Sequence, residues 1–431
     1  MEDPRRHVPR TDAVLAEPAV ADAAARLGRP RVKGVVAEVL QACREGALTP
    51  AAVVAEVLQR LPRSSTSLRP VLNATGVVVH TNLGRAPLSA AAVEALTLAA
   101  GTTDVELDLE TGRRGPRGAA ALEALRCAVP DAEDVHVVNN GAAAVALVAR
   151  ALAADREVLV ARGELVEIGD GFRIPELVES LGVRLREVGT TNRVRLEDYA
   201  AAVGERTAFV LKVHPSNFRV EGFTSSVGVD RLASLGLPVV ADLGSGLLAP
   251  HPRLPEEPDA ASALRAGASL VTASGDKLLG GPQCGLVLGR GDLVHAVRRH
   301  PMARAVRVDK LTLAALEATL AGPPVPVAEA LARRQPQLQE RARRLAAELG
   351  GDVRVETTDG RVGGGGAPGV PLPSAALSLP AALALPLRRG DPPVVGRVRD
   401  GRLLFDLLTV PEAAEPTLLE AVRRARAGGG G

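Results

Sequence analysis

Lysine is rare in this sequence: the 431 residues include only Lys33, Lys212, Lys277 and Lys310. Lys277 lies in a glycine-rich stretch, residues 272–285, directly after a strand-like run. Such a loop exposes backbone N–H groups and lets a ligand approach closely. A partly desolvated lysine amine loses its proton readily, which suits a Schiff-base nucleophile. We therefore predict that Lys277 reacts with a carbonyl ligand, and a solvated surface lysine is the alternative interpretation.

A carboxylate and a polar turn precede this lysine. Asp242 closes the hydrophobic run at residues 238–241, and it could cap a helix or hold a cationic ring nitrogen. Residues 137–145 read as a strand, a turn and a helix start made of small residues. The backbone amides of Gly141, Ala142 and Ala143 would form a phosphate cradle there. Cradle, carboxylate and amine in this order indicate pyridoxal phosphate on the large domain of an aspartate-aminotransferase-like fold.

Strand–helix alternation from about residue 71 to 320 must position these groups. Short β-branched runs alternate with alanine-rich helical windows; they lie at residues 135–138, 157–161, 207–213, 237–241, 269–273 and 286–288. This alternation predicts crossover units and a mostly parallel sheet, with ligands at the carboxyl ends of the strands. The sequence therefore predicts an α/β protein of fold type I.

The two ends of the chain have a different texture. Residues 1–67 show apolar residues at helical spacing, which predicts a helical N-terminal domain. The large cofactor-binding domain would span residues 68–321, and a small α/β domain would span 322–431. In the last of these, the helix at 327–349 is expected to kink or break at Pro336.

Composition excludes several classes of protein. Hydrophobic residues make up 46% and charged residues 24% of the chain, and the net charge is +2, so neither disorder nor a DNA partner is indicated. Cys43, Cys127 and Cys284 have no metal-ligand or disulfide spacing, so we expect no metal and a reducing cytoplasm. The uncharged residues 363–387 contain five prolines and four consecutive glycines. They read as a loop and strands, so no membrane span is expected.

Longer motifs identify a family. The chain resembles the bacterial selenocysteine synthases, the L-seryl-tRNA(Sec) selenium transferases, through much of its length. The matching stretches are residues 72–87, 162–169, 189–193, 212–218, 242–246, 274–283 and 304–310. The resemblance implies conversion of seryl-tRNA(Sec) to selenocysteyl-tRNA(Sec) with selenophosphate, through an aminoacrylyl-tRNA bound to pyridoxal phosphate.

The resemblance also implies roles for individual residues. Lys277 would carry the cofactor and act as general base, with Asp242 on the ring nitrogen. The other expected cofactor contacts are Asn140, Gly141, Ala142, Ala143, His214, Asn217 and Ser274. The arginines expected to line a selenophosphate site are Arg85, Arg304 and Arg307.

Arginine is also expected to bind the tRNA, because the chain has six aromatic residues and no tryptophan. The candidates in the N-terminal domain are Arg26, Arg29, Arg31 and Lys33, with a solvated helix face as the alternative. A homo-oligomer, a ring of dimers as in the family, is expected.

Three departures from the family pattern leave other functions open. Gly141 stands where the family usually has asparagine, Leu408 where it usually has arginine, and residues 118–121 lack its histidine. One alternative is a pyridoxal-phosphate lyase of the same family acting on a small amino acid or amino-sugar phosphate. A second is a non-catalytic tRNA-binding protein. A third, acyl transfer by Ser274 activated by Lys277, would require a helix start and further downstream motifs that the sequence lacks.

Overall fold

The computed structural model describes residues 8–167, 169 and 171–428. The chain divides into two compact units, Met1–Pro70 and Val71–Gly431. The three-domain division at residues 67/68 and 321/322 stays a prediction.

The first unit is helical, as its periodicity predicts. Its helices are α1 (Thr11–Ala16), α2 (Pro18–Leu27), α3 (Arg29–Arg44) and α4 (Val53–Arg60). Proline lies in the first turn of α2 and of α3, where its missing N–H removes no helical hydrogen bond. Val36, Leu40 and Val57 are fully buried in one apolar cluster, so the helical stripes pack against each other.

A seven-stranded sheet forms the centre of the second unit. Its strands are β3 (Asp134–Val138), β4 (Glu157–Ala161), β5 (Arg184–Val188), β6 (Thr207–Val213), β7 (Val239–Asp242), β8 (Leu270–Ser274) and β9 (Gly285–Gly289), after the two short strands β1 (Leu72–Asn73) and β2 (Val77–Val79). The order is β3-β9-β8-β7-β6-β4-β5. Only β9 runs antiparallel to its neighbours, so the predicted mostly parallel sheet is confirmed.

Helices cover both faces of this sheet. They are α5 (Ala90–Ala100), α6 (Ala119–Ala128), α7 (Gly141–Ala153), α8 (Ile174–Glu179), α9 (Leu196–Ala202), α10 (Val229–Ala233), α11 (Ala260–Arg265), α12 (Gly291–Arg299), α13 (Pro301–Ala305) and α14 (Lys310–Ala321). One apolar cluster packs α7, α8 and α12 against the strands, and another packs α6, α11 and α14. Burial on both faces explains why β4, β6, β7, β8 and β9 read as apolar runs, whereas the edge strand β5 is largely polar and exposed.

The C-terminal lobe is a smaller α/β layer. Its elements are α15 (Pro326–Ala332), α16 (Gln335–Leu349), β10 (Arg354–Gly363), β11 (Leu372–Pro380), α17 (Ala384–Arg389), β12 (Val394–Val395), β13 (Arg397–Arg399), β14 (Arg402–Asp406) and α18 (Glu415–Ala427). The helix expected to kink or break at Pro336 is broken two residues earlier, and Pro336 lies in the first turn of α16.

Two strands from the start of the second unit complete this lobe. The five-stranded sheet has the order β13-β14-β11-β10-β2, and β2 pairs parallel with β10. Leu72 and Asn73 of β1 pair with β12. Residues 72–79 belong to the predicted large domain, and their strands pair with strands of the predicted small domain.

One helical stretch of the described chain, Lys310–Ala332, is long and apolar enough to cross a membrane by length and composition, with a mean hydropathy of 1.2. It consists of α14 and α15, which are separate helices. Leu313, Ala315 and Leu316 of α14 are buried, so this helix is a packed core element.

A buried ion pair joins α16 to α18. The Glu415 carboxylate accepts a hydrogen bond from Arg341 Nε at 2.7 Å and a second one from Arg344, and both Glu415 and Arg341 are buried. We expect Glu415→Ala to lower the free energy of unfolding by ~3 kcal/mol, because Arg341 stays buried without its counter-charge. Urea unfolding would measure the change.

The control is Glu420→Ala on the same helix, where an exposed carboxylate lies 3.6 Å from Arg424. Exposed pairs contribute little to stability. Equal losses in the two variants would contradict the buried-pair interpretation.

Candidate active site

A buried carboxylate lies at the carboxyl end of β7. Asp242 is opposite Thr272 of β8 in the parallel register, and its Oδ1 accepts a hydrogen bond from Thr272 Oγ1 at 2.7 Å. Burial raises the pKa of the Asp242 carboxyl, while the Thr272 hydroxyl and the positive charge of Lys277 oppose that rise. A cation placed against this carboxylate would therefore be strongly favoured.

The Lys277 amine lies next to this carboxylate, three residues beyond the end of β8. Its Nζ donates to the carbonyl oxygen of Gly244 at 2.9 Å. Burial lowers the pKa of Lys277, and the nearby carboxylates of Asp276 and Asp242 oppose this shift. The site thus combines a lysine amine that loses its proton more easily than usual with a carboxylate that requires a cation.

The predicted cradle is the start of α7, next to Ser274. Asn140 caps the helix: its Oδ1 accepts from the Ala143 N–H at 2.8 Å. The Ala143 amide is thereby occupied, whereas those of Gly141 and Ala142 have no partner within the helix. A Cβ at position 141 would lie 2.5 Å from Ser274 Oγ. Glycine at this position therefore lets the Ser274 hydroxyl reach the helix start.

The two other expected cofactor contacts are placed differently from each other. The backbone N–H of His214 donates to the carbonyl oxygen of Asp242 at 2.9 Å, so His214 lies at the same sheet edge. Asn217 is exposed, and its side chain donates to the carbonyl oxygen of Glu167 at 3.0 Å. The structure brings His214 to the site and records no contact between Asn217 and the other site residues described.

The three arginines expected to bind an anion are divided between two places. Arg85 pairs with Asp276, and its positive charge acts on Lys277. Arg304 and Arg307 line a groove of about 580 Å³ together with Glu106 and further arginines. The backbone of Arg307 nonetheless pairs with Val138, three residues before Gly141 of the cradle.

Two elements near Lys277 escaped sequence reasoning. One is the glycine loop, residues 364–367, which follows β10: a Cβ at Gly365 would lie 2.5 Å from Lys277 Cδ. The other is Glu257, a buried residue whose Oε2 lies 3.4 Å from His214 Nε2. The run of four glycines could have indicated the loop from the sequence. No sequence pattern indicated Glu257. Within the described ranges, no group of three or more His, Cys, Asp or Glu residues could hold a metal ion.

The structure explains one departure from the family pattern and weakens one alternative. Leu408 is fully buried and packs against the backbone of Gly360, so it belongs to the core of the C-terminal lobe. Ser274 ends a strand, whereas the acyl-transfer alternative requires a serine at a helix start.

Sequence comparisons place the chain in a family. The profile described as "L-seryl-tRNA selenium transferase" matches residues 71–411, and one described as "Selenocysteine synthase N terminal" matches residues 5–44. The chain belongs to the L-seryl-tRNA selenium transferase family. Proteins named L-seryl-tRNA(Sec) selenium transferase share 42% identity in Hyphomonas neptunium, over 97% of this chain and 98% of the relative, and 43% in Moorella thermoacetica, over 98% and 97%.

The chain also resembles a solved structure in its fold. A structure titled D-glucosaminate-6-phosphate ammonia-lyase aligns with a TM-score of 0.59 at 19% identity, over 83% of this chain and 96% of the other. At that identity the likeness shows the fold alone, and it agrees with the fold expected from the strand–helix alternation.

The close approach of Gly141 and Ser274 gives a testable prediction. We expect Gly141→Ala to lower the free energy of unfolding by ~1–3 kcal/mol through overpacking, measured on the cofactor-free protein. In a Ser274→Ala background the same change should cost less, because the Ser274 Cβ lies 3.8 Å from the new atom.

Gly204→Ala is the matched control, since a Cβ there meets nothing within 4 Å. It should leave stability unchanged or raise it slightly. Equal losses for Gly141→Ala in both backgrounds would contradict the steric explanation.

Proposed function

We propose that this protein converts seryl-tRNA(Sec) to selenocysteyl-tRNA(Sec), with selenophosphate as the selenium donor and pyridoxal phosphate as the cofactor. The observation that carries the proposal is the geometry at the sheet edge: an amine, a buried carboxylate and a helix-start cradle adjoin, in a chain of this family. The match of residues 5–44 to the selenocysteine synthase N-terminal profile favours a tRNA substrate over the small-molecule lyase alternative.

The residues present fit pyridoxal phosphate. Lys277 supplies the amine for the aldehyde, and Asp242 supplies the carboxylate for the ring nitrogen. The start of α7, with Gly141 and the Ser274 hydroxyl, fits a phosphate because a side chain at position 141 would fill the cradle. His214 is suited to contact the ring, since it lies beside Asp242. When bound, the cofactor stabilises negative charge at the substrate α-carbon.

The protein's own groups then handle protons. With the cofactor held by Lys277 and Asp242, the Lys277 amine would be the group that takes the proton from the seryl α-carbon. Burial lowers the pKa of Lys277, which favours the neutral amine that this role requires. Because burial raises the pKa of Asp242, its ionised form would be stabilised by a cationic ring nitrogen held against it.

Arginines serve the anionic donor. Arg85 is suited to bind selenophosphate because its guanidinium lies beside Asp276, next to Lys277. Arg304 and Arg307 add positive charge in the separate groove that they line, where Glu106 pairs with Arg114 and Arg117. An oxyanion could replace Glu106 as the partner of the arginines that line the groove.

The N-terminal unit is proposed to bind the tRNA. Arg26 donates a hydrogen bond to the backbone carbonyl of Arg63, and Arg31 donates one to that of Ser65. Part of the hydrogen-bonding capacity of these two arginines is therefore used within the unit. Arg29 and Lys33 are exposed at the start of α3 and have no partner among the described residues. Cations at a helix start are unfavourable for the helix dipole, so their presence there favours a role in binding phosphate.

Assembly and location complete the proposal. We propose a homo-oligomer, a ring of dimers, because large apolar side chains such as Leu98, Leu109 and Phe223 are more than two-thirds exposed. The cytoplasm is the proposed compartment, since Cys43, Cys127 and Cys284 are all free thiols.

Borohydride reduction tests the cofactor assignment. The purified protein should absorb as a pyridoxal-phosphate enzyme, and peptide mapping after reduction should find the pyridoxyl group on Lys277. Lys277→Ala should abolish the pyridoxyl labelling, and Lys33→Ala should leave that labelling unchanged. A pyridoxyl group on another lysine, or on none, would overturn the proposed function.

Salt titration of tRNA binding tests the N-terminal unit. Replacing both Arg29 and Lys33 with alanine should reduce the slope of the logarithm of the tRNA-binding constant against the logarithm of salt concentration. The slope should fall by about two, one for each lost phosphate contact. Arg44→Ala, at the opposite end of α3, should leave the slope unchanged. The role of α3 would be refuted by an unchanged slope in the double variant.

A further inference from the structure

The glycine loop lies directly on the Lys277 side chain. A Cβ at Gly365 would lie 2.7 Å from Lys277 Nζ, and one at Gly366 would lie 3.0 Å from Leu278 Cδ1. Gly365 has a φ of +85°, a conformation that side chains rarely adopt. The loop backbone therefore covers the amine at a distance that leaves no space for a side chain.

The two ends of the loop are held by different parts of the molecule. At its start, the Gly364 N–H donates to the carbonyl oxygen of Val79 at 2.9 Å. At its end, the Ala367 N–H donates to Glu257 Oε2 at 2.6 Å. Ala367 has a φ of +45°, which is unfavourable for alanine and must be held by its surroundings.

Burial of the Glu257 carboxylate at this place costs free energy. Its side chain is 1% exposed, and Oε1 has no hydrogen-bond partner among the described residues. A buried carboxylate without full hydrogen bonding is strongly disfavoured unless nearby groups compensate. The groups near it are the Ala367 N–H, the His214 imidazole and the Lys277 amine, on whose charge Glu257 acts.

We propose that Glu257 is a positioning residue, which fastens the end of the glycine loop and thereby fixes how far the Lys277 amine is covered. The inference rests on the proposed role of Lys277, but its test requires neither the cofactor nor activity. Loss of the hydrogen bond to Ala367 would let the loop leave Lys277 and expose the amine.

The scarcity of lysine makes the test direct. The cofactor-free protein is treated with trinitrobenzenesulfonate, and labelling of the Lys277 peptide is measured by mass spectrometry relative to the exposed Lys33. Glu257→Ala should raise the relative labelling of Lys277 about tenfold, the factor expected from one lost hydrogen bond to a charged group. Deuterium exchange in the peptide that contains residues 364–371 should accelerate in parallel.

Two variants separate this role from a general loss of structure. Glu257→Gln keeps an oxygen that can accept from the Ala367 N–H, so its labelling should stay within about twofold of the unmodified protein. Glu256→Ala removes the adjacent carboxylate, which is exposed and pairs with Arg219 at 2.8 Å, and should change nothing. If Glu257→Ala does not fold, Glu257→Asp shortens the side chain and should give the same direction of change.

The outcomes distinguish the two proposals. Unchanged labelling and exchange in Glu257→Ala, or equal increases in Glu257→Gln and Glu257→Ala, would overturn the positioning role. Absence of a pyridoxyl group on Lys277 would overturn the proposed function and leave the result on the loop unaffected.

Discussion

The site depends on a carboxylate that the fold holds out of water. Burying an ionised carboxylate costs several kcal/mol after relaxation, and Asp242 is nonetheless buried at the end of β7. The parallel register of β7 and β8 compensates in part, since it puts the Thr272 hydroxyl opposite Asp242. A one-residue slip of β8 would turn Thr272 to the other face of the sheet and shift Lys277 with it. Strand register thus fixes both the carboxylate and the amine.

Local sequence pattern was sufficient for most of the central sheet, but not for its edge strand β5, in which arginine and glutamate interrupt the apolar run. Strand–helix alternation predicted the six central runs, all of which are strands, and the parallel sheet put Asp242, Lys277 and the start of α7 at one edge. Apolar spacing at residues 36–40 and 53–61 also predicted that the N-terminal unit is helical. Polar residues directly after strands carry this kind of information because the carboxyl ends of parallel strands meet.

What the sequence could not supply depends on contacts between distant residues. Glu257 reaches the glycine loop across 110 positions, and no local pattern distinguishes it from the exposed Glu256 beside it. The division of the arginines is of the same kind: Arg85 lies beside Lys277, whereas Arg304 turns into a groove with Glu106. The direction of each side chain and its pairing with distant residues decide these positions. The spacing of motifs gives no information on either.

The pairing of β2 with β10 has a consequence for synthesis of the chain. Val77–Val79 pairs with the end of β10, so it obtains its strand partner only after the 281 residues between Val79 and Arg361 have been made. At 5–20 residues per second, a ribosome needs about 15–55 s for that length. During this interval a trivaline strand edge is without its partner, the kind of segment that chaperones shield from aggregation. The C-terminal lobe therefore folds late, when both ends of the second unit have been made.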